Sequence, residues 1–474
     1  MKWIRRHKGK LIPLAILVVL AYFNSLNNEF VSDDIFAIVN SDSLGDFSQV
    51  FSNPFYFLRE LEYFVVFSLF GKQAIYFRLI NFVFHLLAVW GVYALVELLV
   101  SEYVGFIAAM LFAVHPLGAE AVSWISAGVY VQMTALSIWS LVFYVLTIRG
   151  EKTYYVWSVL LLLLALFSME RSVVVVGIMV VVTFLLGDLK KYWKYLLVPA
   201  GLSLVWLGVS VLGAGVRQEV LQVNYYNNPE NINFFIQLPV AISEYLKLFV
   251  WPIGLTLYHS DLFFTGLSFF LKVVVTLGYL GCVVWGFFKN RQVFFWLLFF
   301  LICLSPTLLP FGLSWIVAER YVYMAMIGLC VVTGMGFSYL NTRFGVDGVN
   351  FILILLVSML MLRTVLRNNN WQTADELWFS AERYSTLSPQ NHNNLGDAYG
   401  RRGRLELSRD HFLRAIELNP RYADAMHNLG NTYLQMGEID KAKESYEQAL
   451  KVNPKLWQSE ERLKAIEEYE RKNL

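Results

Sequence analysis

Two adjacent carboxylates, Asp33 and Asp34, sit in Phe30-Val31-Ser32-Asp33-Asp34-Ile35-Phe36-Ala37-Ile38-Val39-Asn40, directly after a long apolar run. Paired acids beside a membrane suit three roles: a general base for a hydroxyl, a metal clamp, or the cap of a helix start. Like charges so close drive their two pKa values apart, which favours one of them as a base. Arg78, Asn81 and His85 follow at spacings of three and four, so they share one helix face. In an apolar helix that face looks into the protein, either making interhelical hydrogen bonds or walling a cavity. His115-Pro116 with Glu120, and Glu170-Arg171, leave the same alternatives open. Glu319-Arg320-Tyr321 reads as a local ion pair or as a clamp for phosphate, because a guanidinium offers phosphate paired N–H donors.

The elements that must position these residues follow from composition. The chain has 474 residues, 57% of them apolar and only 16% charged, with a mean hydropathy of +0.51. A soluble domain carries about a quarter of charged residues, so most of this chain needs lipid around it. Of its 38 basic and 36 acidic residues, 16 and 17 lie after residue 365. The fold class expected is all-α: a polytopic membrane domain over 1–366 and a soluble tail over 367–474. Crossings about 20 residues long are expected at 11–27, 75–98, 103–116, 129–148, 154–168, 172–187, 195–213, 267–288, 293–310, 322–340 and 348–366.

The basic start, Lys2 to Lys10, precedes an apolar run without a small-x-small cleavage site, so it reads as an uncleaved first helix with a cytoplasmic N-terminus. Alternation then puts the segments 28–74, 117–128, 169–171, 214–266 and 311–321, and the tail, outside. Segment 234–257 is apolar but broken by Pro239, Glu244, Lys247 and Pro252. It reads as an interfacial helix or a re-entrant turn packed on protein. Nearly all polar residues of interest thus gather at one face, which suits processing there better than conduction through. A net charge of +2 provides no basic field for nucleic acid. Cys282, Cys303 and Cys330 have neither metal spacing nor an even count and read as small buried hydrophobes.

The tail repeats at 34 residues. Leu395-Gly396, Tyr399, Gly403, Phe412, Ala415 and Pro420 recur as Leu429-Gly430, Tyr433, Gly437, Tyr446, Ala449 and Pro454, the tetratricopeptide pattern. Repeats 389–422 and 423–456 are the well-defined units, with Ser408 standing where the second has Ala442. Residues 371–387 read as a degenerate unit before them and 455–474 as a solvating cap, since two repeats alone bury too little. Asn394 and Asn428 share a repeat position and are expected on the concave face, where amides could pair with an acceptor peptide backbone; Asn is also common there in any such repeat.

Taken together, Ser32-Asp33-Asp34, Asn81 with His85, His115-Pro-Leu-Gly-Ala-Glu-Ala-Val122, Ser168-Met-Glu170, Ala318-Glu-Arg-Tyr-Val-Tyr323 and the repeats resemble, in the same order, the transmembrane and tetratricopeptide-containing O-mannosyltransferases. That resemblance implies a glycosyltransferase of GT-C type, moving a sugar from a polyprenyl-phosphate carrier to Ser or Thr of an exported protein. It implies Asp33 and Asp34 as catalytic, Asp33 being preferred as base, and Arg320 for the carrier phosphate with help from Arg171. Glu319, Tyr321, His115, Glu120, Glu170, Arg78 and His85 are expected as further donor-site contacts. Three departures from the family pattern stand out. Ala127-Gly128-Val129-Tyr130 replaces Gly-Arg-x-Asp, Met169 replaces a Lys, and Glu60 stands where Pro is usual.

The reaction expected is inverting transfer with lipid phosphate leaving, no resident cofactor and no divalent metal. The partners expected are a lipid-linked sugar, an acceptor protein or peptide, and the bilayer of a bacterial or archaeal cytoplasmic membrane. A second reading is a scaffold or carbohydrate-lipid transporter whose repeats dock other proteins. A transporter would show two related halves and charges near the midplane, and the sequence displays neither clearly.

Overall fold

The computed structural model describes residues 2–187, 189–224, 233–308 and 315–473, with side chains throughout except at 2, 213–224 and 473. Among these residues the chain is helical and has no strand. The first helices are α1 (Lys2–Tyr22), α2 (Phe57–Phe70), α3 (Ala74–Leu99), α4 (Glu102–Val114), α5 (Ala119–Ser123), α6 (Gly128–Ile148), α7 (Tyr154–Ser168) and α8 (Val174–Leu185). They are followed by α9 (Leu189–Tyr192), α10 (Leu197–Asn224), α11 (Phe234–Val250), α12 (Gly266–Lys289), α13 (Arg291–Leu308), α14 (Glu319–Val322), α15 (Met326–Phe344) and α16 (Val346–Asn369). The tail holds α17 (Ala374–Glu382), α18 (Pro389–Arg401), α19 (Leu405–Leu418), α20 (Ala423–Gln435), α21 (Ile439–Val452) and α22 (Trp457–Asn473).

A helix occupies each of the eleven expected apolar spans. Six of them, α1, α3, α6, α12, α13 and α16, are long and apolar enough to cross alone, and eight crossings result if two bent pairs each count as one. Those pairs are α4 with 116–123, bent by 56°, and 189–195 with α10, bent by 57°. Among the described residues α7, α8 and α15 fall short of that length and hydropathy test, which leaves those three of the eleven expected crossings without its support. Helix α2 was read only as part of a loop. Helix α10 runs past 213, where its span was expected to end.

Hydrogen bonds sort the bundle into two ends. At one, Trp3 Nε1 donates to Glu97 (3.1 Å), His7 Nδ1 meets Tyr93 Oη (2.7 Å) and Gln292 donates to the Leu99 carbonyl (2.8 Å). At the other, Ser123 donates to Asn368 (2.9 Å) and Asn28 to the Asn368 carbonyl (3.0 Å), joining α5, the stretch after α1 and the end of α16. The residues with possible chemistry collect at this second end. Helix α11 lies lengthwise on the first half of α12, with Thr276 donating to the Pro239 carbonyl (3.2 Å) and Lys272 paired to Glu244 (2.9 Å). That packing holds the segment against protein as a helix. Cys303 and Cys330 are buried, but Cys282 is exposed, because among the described residues no helix covers its face of α12.

In the tail, a Cβ at Gly396 or Gly430 would collide with the Phe412 or Tyr446 ring, so glycine is what lets paired repeat helices close on their aromatics. Ser408, the departure from the pattern, is buried and bonds through its hydroxyl to Thr432 (3.1 Å). The repeats are fastened to the membrane domain by residues 256–261. Thr256 bonds to Ser385 (2.7 Å), Asp261 accepts from the Thr386 hydroxyl (2.8 Å) and the Leu387 amide (3.0 Å), and Tyr258 stacks parallel on Trp378.

Candidate functional site

The adjacent aspartates are parted by the backbone. Ser32 holds a left-handed conformation (φ 54°), uncommon for a residue with a side chain, and after it Asp33 is exposed while Asp34 is fully buried. Asp34 accepts from the Ser126 amide (2.8 Å), the Ser126 hydroxyl (2.5 Å) and the Val31 amide (3.2 Å). Burial pushes its carboxyl up to about 6, against the pull of those bonds and of the Arg78 charge. Asp34 is therefore a buried anchor, and Asp33 the carboxylate with access to solutes.

Arg78 sits under this loop at the start of α3. It donates to the carbonyls of Ser123 (2.8 Å), Leu26 (3.2 Å), Asn28 (2.7 Å) and Glu29 (2.9 Å), so its donors are spent on the protein. Asn81, one turn on, donates to the Trp124 carbonyl (3.1 Å), and its side chain occupies the space a Cβ at residue 128 would need. Gly128 is thus required where α6 begins. His85 meets Tyr323 Oη (2.5 Å) and the Ala113 carbonyl (3.2 Å). His115 contacts the Phe249 carbonyl (3.0 Å), stacks on the Phe249 ring and accepts the Leu117 amide (3.3 Å).

Glu120 and Arg320, distant in sequence, form an ion pair, with Glu120 fully buried. The Arg320 guanidinium lies 5.4 Å from the Trp124 ring and 5.0 Å from the Tyr321 ring. Trp124 and Ser126 belong to one short turn, so the residue holding Asp34 and the residue under Arg320 are two apart. Through that turn Asp34 and Arg320 lie at the same end of the molecule. Arg171 approaches from the turn between α7 and α8. It lies 4.1 Å from the Tyr321 ring and 5.5 Å from the Tyr130 ring, and its buried Nη1 has no hydrogen-bond partner among the described residues. Two guanidinium groups therefore share one face-forming ring, Tyr321. Glu170 adds negative charge beside Arg171.

Glu319 corrects an expectation. It is fully buried, bonded to Arg367 Nη2 (3.0 Å) and Nε (3.3 Å), with His259 Nε2 3.6 Å away. A carboxylate so enclosed cannot also touch a donor. Protein groups occupy the polar atoms of Glu319, Arg78, His85 and His115, which were expected to touch a donor directly. The Tyr321 ring lies between the Arg171 and Arg320 guanidinium groups.

Arg367, Trp124, Glu62 and Gln132 are contributors that the sequence does not single out. Arg367 closes the Glu319 pair and lies 5.6 Å from the Trp371 ring, which stacks on Trp124 (5.5 Å). Glu62, on α2, accepts from Gln132 Nε2, while Gln132 Oε1 accepts from Ser168 (3.1 Å). Burial pushes the Glu62 carboxyl up to about 8 against the Arg59 charge, and the Tyr63 phenol feels both Glu62 and Asp34. The signal available for Glu62 was an acid at the start of an amphipathic stretch, Phe57–Phe70. Among the described residues no cluster of three or more His, Cys, Asp or Glu could hold a metal.

In the tail, Asn394 donates to Tyr258 Oη (3.4 Å) and Asn428 to Asn393 (3.1 Å). Asn428 lines a concave hollow of about 340 Å³ together with Asp397, Arg401, Asn431, Gln435 and Arg462. The first amide is thus turned to the membrane domain and the second to the hollow.

Comparison with known proteins bears on these findings. A family model described as tetratricopeptide repeat matches residues 387–455. The chain is 24% identical over 444 residues to Protein O-mannosyl-transferase F38B6.6 of Caenorhabditis elegans, covering 87% of this chain and 63% of that one. It is 24% identical over 475 residues to human Protein O-mannosyl-transferase TMTC3, covering 87% and 52%. The chain therefore spans between about half and under two thirds of these curated relatives. The crystal structure of the Archaeoglobus fulgidus oligosaccharyltransferase tethered with an acceptor peptide is 13% identical, covers 85% of this chain and 59% of that one, and has a TM-score of 0.44. The chain is a helical protein of membrane character with a tetratricopeptide tail, similar in sequence to proteins named O-mannosyltransferases.

Proposed function

We propose that this chain is a membrane glycosyltransferase that moves a sugar, mannose or another hexose, from a polyprenyl-phosphate carrier to a hydroxyl of Ser or Thr in an exported protein. The observation that carries the reading is the pair of guanidinium groups on Tyr321. Arg320 already has Glu120, and Arg367, whose Nη1 is likewise buried without a partner, is fully enclosed with Glu319, whereas Arg171 keeps a buried donor with no hydrogen-bond partner among the described residues beside the ring it shares with Arg320. A leaving phosphate is an anion that needs such a preorganised donor. In this reading Arg171 makes the first contact with the carrier phosphate and the Arg320–Glu120 pair the second, an exchange of the roles expected from the motif. The relatives named O-mannosyltransferases support the sugar-transfer class.

Asp33 acts as general base, taking the proton of the acceptor hydroxyl as its oxygen attacks the anomeric carbon from the side opposite the phosphate. Asp34, clamped on Ser126, holds the loop that presents Asp33. The face bearing these groups is extracytoplasmic, the N-terminus is cytoplasmic, and the membrane is a bacterial or archaeal cytoplasmic membrane. No resident cofactor takes part. The test is transfer from a polyprenyl-phosphate hexose to a Ser/Thr peptide in proteoliposomes. Because a positioned base contributes about 100- to 10,000-fold, Asp33→Asn should lower the rate at least 100-fold while leaving the fold intact, since Asp33 is exposed. An unaltered rate in D33N removes the base assignment. Absence of transfer by the unmodified protein with every carrier favours the scaffold or transporter reading.

A further inference from the structure

The end of the bundle away from the candidate site carries a second hollow, of about 420 Å³, between α8 and the α12–α13 corner. Phe184, Leu185, Phe287 and Phe288 line it, and Lys289 and Arg291 stand at its edge. Among the described residues none that lines it is acidic. Phe288 and Phe184 are 74% and 46% exposed, an apolar surface that acyl chains would cover. Gln292, next to Arg291, bonds to the Leu99 carbonyl, which fixes this corner at the level where helices α3 and α6 also end. The short helix α9 continues from the same rim and carries Lys190 and Lys191.

We infer that this hollow binds an anionic phospholipid, with the phosphate between Lys289 and Arg291 and the acyl chains along the four apolar side chains. The volume falls within the range of small-molecule sites, about 300 to 1,000 Å³. Basic pockets between helices at a membrane surface select anionic headgroups, because a zwitterionic headgroup brings its own cation up against the two side-chain cations. The ligand would brace α8 against α12 and α13 at one end of α8. The other end of α8 follows directly on the turn bearing Arg171, so the lipid would steady the helix on which that residue depends.

The test is native mass spectrometry of the full-length protein in detergent, titrated with phosphatidylglycerol or phosphatidylcholine. One phosphatidylglycerol should be retained in preference to phosphatidylcholine. The double variant Lys289→Ala/Arg291→Ala should weaken phosphatidylglycerol roughly 30-fold, about fivefold for each cation lost. Lys152→Ala/Arg343→Ala removes the same charge elsewhere on this end and should change it by less than about twofold. Leu185→Trp fills the hollow without changing charge and should also abolish retention, which keeps the inference testable if the double variant does not fold. Equal retention of phosphatidylcholine, equal loss in the control pair, or undiminished binding in L185W would each overturn it. None of these readouts involves sugar transfer, so failure here leaves the proposed activity untouched.

Discussion

The Glu319–Arg367 pair separates architecture from chemistry in a way that can be measured. Both side chains have no solvent exposure, and two hydrogen bonds of 3.0 and 3.3 Å join them. Removing one member leaves the other charged, dry and unpaired, at a cost of about 3–5 kcal/mol, whereas replacing both by apolar groups of like volume is close to neutral. Glu319→Leu and Arg367→Met should each destabilise by that amount. The double variant should lose only about 1–2 kcal/mol, the remainder reflecting His259 and the packing on Trp371, so the coupling is at least about 4 kcal/mol. Unfolding in mixed micelles followed by tryptophan fluorescence reads it out, because Trp371 lies against Arg367. Additive losses would refute the argument. They would mean that each residue is held by something other than its partner, and would restore Glu319 as a free ligand.

Arg171→Lys should raise KM for the lipid-linked donor about as much as Arg171→Gln does, since an ammonium cannot lie flat between the Tyr130 and Tyr321 rings; a donor titration checks this, and full activity in the Lys variant removes the stacking argument. Glu62 ties stability to pH. With its folded-state value raised to about 8 from an ordinary 4.5, its contribution is complete below the unfolded value and is lost as pH rises through 8. Between pH 6 and 8, above the range set by Asp34, the melting temperature should fall in the wild type and fall less in Glu62→Gln; parallel slopes would exclude a buried protonated Glu62. Tyr258→Ala/Asp261→Ala should release the repeats from the membrane domain, seen as faster proteolysis near 366–390 with the membrane fragment left intact; unchanged cleavage would mean the other contacts suffice.

Legibility differed by the range of the signal. A 34-residue period made the repeats readable, and hydropathy located a helix at every expected span. The polar ends were also foreseeable, because Asp34, Glu120, Arg171 and Arg320 each close an apolar run. Their partners were not. Arg367 pairs with a residue 48 positions away and falls just past the expected end of its span, where hydropathy assigns it to the tail. Glu62 meets Gln132 across 70 positions and lay in a stretch read as loop. Arg78, Asn81 and His85 were correctly set on one inward face, but helical spacing does not say whether such a face lines a cavity or bonds to carbonyls, and here carbonyls took the donors.

The fastening of the first repeat through Tyr258, Asp261 and Thr256 makes the tail a fixed gauge rather than a swinging tether. A polypeptide gripped in the hollow around Asn428 would reach the aspartates only with the stretch of chain that spans this set offset. Hydroxyls nearer to or farther from the gripped segment would be skipped. Modified positions would then be spaced by geometry instead of by local sequence, and inserting one more repeat between the two would move them along the acceptor by a constant interval.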